Sequence, residues 1–146
     1  MLKGIPKILS PELLMVLSEM GHSDRLVISD GNFPAESMGK DAIVIRCDGH
    51  GVPELLDAIL QVFPLDTYVE HPVNLMEVMP GDDVETPIWD TYKEIIRKHD
   101  DRGDAVVGQI ERFAFYEEAK KVYAIIATGE SALYANIMLQ KGVVTD

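Results

Sequence analysis

Apolar positions along this chain fall into blocks of helical spacing that alternate with short blocks of strand spacing. In "SPELLMVLSEMG", Leu13, Leu14, Leu17 and Met20 share one helical face. Ser10 suits the N-cap, Pro11 the first helical position and Gly21 the stop. "RLVIS" reads as a short strand and "DGNFP" as the turn after it. "AIVIR" is a second strand, apolar enough to be covered on both faces. "VPELLDAILQVF" gathers Leu55, Leu56, Ile59 and Leu60 on one side of a second helix. "HPVNLMEVM" is a strand with Pro72 at its start or on a sheet edge. "PGDDVE" is an exposed acidic loop, and "TPIWDTYKEIIRKH" a helix capped by Thr86 with Pro87 at its first position. "AVVGQI" is a strand and "RFAFYEEAKK" a helix. "VYAIIATG" is a third apolar strand ended by Gly129, and "NIMLQKG" a last strand. The alternation predicts an α/β fold: a single three-layer domain over residues 1–146, with a central sheet flanked by helices. Strand order is left open.

Composition narrows the partners. Hydrophobic residues make up 47% of the 146 residues, which is enough to fill a sizeable core. The formal charge of −12 repels polyanions, so no nucleic-acid partner is expected. No apolar run reaches the length of a membrane span, and Pro6 and Pro11 interrupt the N-terminal apolar residues, which argues against a signal peptide. Cys47 is the only cysteine, so no internal disulfide can form and no cysteine cluster can hold zinc. Together these features point to a cytosolic (cytoplasmic) protein.

Four places carry candidate chemistry. His22 follows a helix end, where an imidazolium can simply complement the helix dipole, or can act as an acid or base. Asp30 precedes Gly31 and can be an ordinary turn residue; it also falls beyond the carboxyl end of a strand, where open α/β sheets place their ligands. Arg112 opens a helix, where a cation opposes the dipole, so it is held there by a ligand or by a carboxylate. In "SALYAN", Tyr134 and Asn136 stand two residues apart, on one side of an extended chain. A phenol and an amide each donate and accept, which suits a hydroxyl-rich ligand; a half-buried tyrosine at a strand entry is the plainer reading. His50 in "CDGHGVP" reads as part of a glycine turn, and His71 and His99 as solvated. "DDRGD" lacks the register of a calcium loop, and "IATGE" lacks the spacing and lysine of a phosphate loop.

Read together, "LSPELLMVLSEMGHSD", "SDGNFPAES", "IRCDGHGVPELLDAIL", "PLDTYVEHP", "ERFAFYEEAKKVYAIIATGE" and "LYANIMLQKGV" resemble the ribose pyranase / fucose mutarotase family over nearly the whole chain. "DGNFP", "TPIWDTY" and "RFAFYE" are similar to its fucose mutarotase branch, whereas ribose pyranases typically carry a histidine where this chain has Arg112. The resemblance implies an enzyme that interconverts anomers of a free monosaccharide, L-fucose before D-ribose, with no metal and no cofactor. A non-catalytic sugar-binding accessory protein of a transport system is the reading from another class. The resemblance assigns His22 as proton donor and Asp30, Arg112, Tyr134 and Asn136 to substrate binding; the chemistry of ring opening gives Tyr134 a share in proton transfer as well. Ala135 stands where fucose mutarotases often have glycine. The resemblance also implies a ring-shaped decameric homo-oligomer. One geometric point follows independently: if "RLVIS" is straight, its five residues span roughly 16 Å, which separates His22 from Asp30. One sugar can then meet both only if two subunits supply them, or if the chain bends.

Overall fold

The predicted alternation is realised, in a computed structural model that describes residues 1–146, as five helices around one six-stranded sheet. The helices are α1 (Pro11–Glu19), α2 (Ala35–Met38), α3 (Val52–Leu60), α4 (Pro87–His99) and α5 (Arg112–Ala119). The strands are β1 (Arg25–Ser29), β2 (Ile43–Cys47), β3 (Val73–Met76), β4 (Val107–Ile110), β5 (Ala124–Thr128) and β6 (Ile137–Gln140). The sheet runs β2-β5-β1-β6-β3-β4.

Strand alternation builds two cores. Leu26, Ile28 and Ile126 point to one face and pack with Leu13, Leu17, Leu55, Ile59 and Ile96 of α1, α3 and α4. Val27, Ile125 and Ala127 point to the other and pack with Ala35, Phe115 and Ala119 of α2 and α5. These are the three layers expected from the pattern. At the start of α1, the Ser10 side chain accepts from the Leu13 N–H at 3.2 Å, as its position suggested.

Three expectations about these elements need correction, and one element was not foreseen. "AIVIR" is not covered on both faces: β2 is an edge strand, and its Arg46 is exposed. The strand buried at every position is the internal strand β5. Thr86 makes no side-chain cap bond to α4. The first part of "AVVGQI" belongs to a 3-10 turn, Gly103–Val106, and β4 begins only at Val107. The short helix α2, right after "DGNFP", carries too few residues to show a helical period.

One feature of the topology positions all that follows. β6 is antiparallel to both of its neighbours, β1 and β3, while β1–β5, β2–β5 and β3–β4 are parallel. The carboxyl ends of β1, β3 and β4 therefore share one sheet edge with the amino end of β6. The opposite edge collects the starts of β1 and β3 with the end of β6.

Candidate functional site

At the first edge, Asp30 leaves β1, Arg112 follows β4, and Tyr134 and Asn136 lead into β6. All four line one open cavity of ≈ 490 Å³, a size that suits a small ligand. Their convergence comes from strand direction, not from proximity in the chain.

Asp30 is both a turn residue and a ligand candidate. Its Oδ1 accepts from the N–H groups of Asn32 (3.0 Å) and Phe33 (2.9 Å), which fixes the turn. The turn leaves Oδ2 unused. Burial pushes the Asp30 carboxyl up from its ordinary value, against the pull of the Asn32, Phe33 and Ala135 N–H groups; the charge of Glu130 adds to the rise. A carboxyl raised in the folded state contributes stability below its ordinary pKa, and that contribution is lost as pH rises through the folded value. Asp30→Asn keeps an Oδ1 acceptor for the turn and removes the charge. Its thermal midpoint is therefore expected to exceed that of the wild type at pH 7 and to converge with it at acid pH, while ligand binding weakens. Scanning calorimetry at both pH values checks this; a variant less stable at pH 7 contradicts it.

Asn136 is 5% exposed, and its Oδ1 accepts from the Asp30 N–H at 2.8 Å. The amide is thus oriented with Nδ2 free to donate. Tyr134 departs from the extended chain expected from the sequence, because its φ is +53°. It reaches the cavity by a left-handed backbone turn rather than by strand alternation, and β6 begins only at Ile137. Helix α4 holds that turn from behind: Trp89 Nε1 donates to the Tyr134 carbonyl at 2.8 Å, and the Tyr92 hydroxyl to the Ala135 carbonyl at 2.6 Å. Ala135 is fully buried, and its φ is not positive, so the backbone at this position does not require glycine.

Arg112 opens α5 as expected, and Glu111 ahead of it accepts from the Ala114 N–H at 3.0 Å. No carboxylate lies within ion-pair reach of Arg112, which removes that explanation for its place. Its guanidinium lies over the rings of Tyr116 and Phe113, at 5.5 and 5.6 Å. Nε donates to the Tyr116 hydroxyl at 3.4 Å.

His22 is not at this cavity. It lies at the opposite edge, ahead of β1, where its Nε2 is 3.0 Å from Asp66 Oδ1. The Nδ1 atom has no partner within the chain. Asp66 is 1% exposed and also accepts from the Tyr68 N–H (3.0 Å) and Gln140 Nε2 (2.9 Å). Burial alone raises the Asp66 carboxyl, but these donors and His22 together outweigh it and hold it below its ordinary value. The carboxylate therefore stays charged beside the imidazole. Nor does His22 complement the end of α1. Lys141 does so, with Nζ donating to the carbonyls of Leu17 (2.7 Å) and Met20 (2.5 Å).

Among the other histidines, His99 is not solvated: its side chain is 18% exposed, and Nε2 is 2.7 Å from Asp57 Oδ1, joining α4 to α3. His71 and His50 are exposed, beside Glu70 and Glu54. No three His, Cys, Asp or Glu side chains are grouped to hold a metal ion, and no helix is long and apolar enough to cross a membrane.

The sequence reading missed Asp66, Tyr116 and Asp82. Tyr116 carried a local signal, four residues after Arg112 on the same helical face. Asp66 and Asp82 carried none, because their partners lie far away in the chain.

Residues 3–144 match the model of the RbsD / FucU transport protein family. The chain is similar to the human fucose mutarotase, 51% identical over 97% of this chain and 94% of that one. It superposes on the crystal structure of FucU from Bifidobacterium longum with a TM-score of 0.96 at 67% identity, over 98% of this chain and all of that one. The fucose mutarotase of Streptococcus pneumoniae, solved in complex with L-fucose, gives a TM-score of 0.90 at 49% identity, over 99% of this chain and all of that one.

Proposed function

This chain belongs to the RbsD / FucU transport protein family, and from that membership we propose that it is an isomerase, an L-fucose mutarotase that interconverts the α and β anomers of the free sugar. The observation that carries the reading is the convergence of Asp30, Arg112, Tyr134 and Asn136 on one cavity. It occurs in a chain about half identical to relatives named fucose mutarotase, one of them solved with L-fucose.

The chemistry fits the donor set. Mutarotation opens a hemiacetal: a base takes the anomeric O–H proton, the C1–O5 bond breaks, and an acid protonates O5. Rotation about C1–C2 presents the other aldehyde face, and reclosure reverses the proton transfers. Asp30 accepts from sugar hydroxyls, Asn136 Nδ2 and Arg112 donate to them, and Tyr134 contacts the anomeric hydroxyl. The reaction needs no cofactor. His22, oriented through Nε2 by Asp66, presents Nδ1 as the acid.

His22 and Asp30 flank β1, whose five residues span about 16 Å, so one monosaccharide cannot touch both in a single chain. We therefore propose a ring-shaped homo-oligomer, a decamer by family resemblance, in which His22 of one subunit completes the cavity of the next. Exposed apolar side chains stand beside both halves: Tyr68 packs 5.0 Å from His22, and Phe113 and Leu133 adjoin the cavity residues. A cytoplasmic location fits the lone, partly buried thiol of Cys47.

Because the four binding candidates already meet in one chain without His22, the cavity also suits a protein that only binds the sugar. NMR exchange spectroscopy on equilibrated L-fucose, D-ribose and D-galactose separates the readings. Added anomer exchange is expected for L-fucose most strongly. Saturable binding of L-fucose without added exchange favours the accessory protein, and faster exchange on D-ribose favours a pyranase.

A further inference from the structure

The acidic loop "PGDDVE" looks like solvated connection in the sequence, yet one of its carboxylates closes on the site. The Tyr134 hydroxyl donates to Asp82 Oδ2 and accepts from the Met79 N–H at 3.2 Å. Asp82 N–H in turn donates to the Met79 carbonyl at 3.1 Å, around Gly81 at φ +92°, a left-handed position that favours glycine. The loop therefore folds as a tight turn about the phenol. Asp82 itself lines the cavity with Tyr134 and Arg112. With Trp89 holding the backbone and this turn holding the hydroxyl, the phenol is fixed at both ends.

A phenol has one proton to donate and two lone pairs. The proton is committed to Asp82, and one lone pair to Met79. What faces a ligand at rest is a single lone pair, so the resting Tyr134 can accept a proton from a sugar but does not offer its own. That assigns a direction to its chemistry, and it leaves a carboxylate waiting behind it.

We propose that Asp82 is the positioning residue of Tyr134 and the resting place of the anomeric proton: the phenol takes the proton from the sugar's O1 as its own proton passes to Asp82. This inference rests on the L-fucose mutarotase reading and deepens it. In the balanced step, the O1–H electron pair forms the C1=O1 bond, the C1–O5 pair goes to O5, and O5 takes a proton from the acid at the other side, His22. Asp82 is then a neutral acid. On reclosure it returns the proton through Tyr134 to O1, and O5 returns its proton to His22, so nothing is consumed. Arg112 acts electrostatically on both Tyr134 and Asp82, without a direct ion pair, and favours the anionic character that passes between them. At rest the bond to Asp82 holds the Tyr134 hydroxyl above its ordinary pKa, so the phenol is protonated and ready to relay.

The test is a kinetic cycle on L-fucose exchange with Asp82→Asn, Asp82→Glu, Tyr134→Phe and the double variant, with Asp83→Asn as the charge control. Asp82→Asn is expected to lower kcat about tenfold, less than the roughly hundredfold or more that a positioned proton-transfer group supplies, because the phenol itself remains, with KM within about twofold. Asp82→Glu recovers part of the loss, and Asp82→Asn adds nothing in the Tyr134→Phe background. The Tyr134 phenol, followed by ultraviolet difference titration against Tyr134→Phe, titrates lower in Asp82→Asn than in the wild type. Full exchange by Asp82→Asn, a loss confined to KM, or additive losses in the double variant overturn the relay and leave the mutarotase reading standing. A wild type that adds no exchange overturns both.

Discussion

His22→Ala is expected to lower L-fucose exchange by about a hundredfold or more, the range that a positioned general acid supplies. The geometry allows a clean substitution. The His22 side chain is 42% exposed, so its loss opens no core cavity. Asp66 keeps the Tyr68 N–H and Gln140 Nε2 as donors, so the buried carboxylate is not orphaned. The substitution leaves Asp30, Arg112, Tyr134 and Asn136 in place, so L-fucose binding by calorimetry is expected to change little. The signature is a fall in kcat with KM nearly unmoved, which marks an interaction made in the transition state. His22→Gln, which can still meet Asp66, should fold as the wild type does and exchange as slowly as the alanine variant. Exchange at the wild-type rate in either variant would remove His22 from the mechanism.

The role proposed for His22 was legible only from the chain as a whole. Taken locally, it followed a helix stop, and complementing the helix end was a sufficient reason for it. The residue that does this is Lys141, which is 121 residues from Met20 in sequence and reaches it only because β6 runs antiparallel beside β1. Helices with a repeated apolar face, such as α1 and α3, could be read because neighbours three and four apart share a face. Asp30 could be placed because a strand end followed by Asp-Gly is a local signal. Asp66 and Asp82 could not, since their partners are 44 and 52 residues away and meet through the sheet order β2-β5-β1-β6-β3-β4. The misreading of β2 has the same root: an edge strand and a central one can share an apolar composition, and only strand order tells them apart. Tyr134 and Asn136 were correctly paired at one cavity but for a reason the backbone does not follow, because φ at Tyr134 is left-handed.

Two inactive variants are expected to restore activity to one another. His22→Ala lacks the proposed acid and keeps the cavity; Arg112→Ala keeps that acid and loses a cation that lines the cavity. If one site draws His22 from one subunit and Arg112 from the next, co-refolding the two variants creates some junctions in which both residues are intact. Those junctions exchange L-fucose, while each variant refolded alone does not. If one chain supplied both groups, every subunit in the mixture would still lack one of them, and mixing would restore nothing. The physical ground is the straight strand β1 between His22 and Asp30. Its residues Leu26, Val27 and Ile28 are fully buried and paired on both sides to β5 and β6, so it cannot bend enough to bring its two ends to one sugar. Simple mixing of the two folded variants is the control, and light scattering on the wild type reports the assembly that the junctions require. A monomeric wild type with full exchange, or co-refolded variants as inactive as their parents, would place the whole reaction within one chain and force His22 out of it.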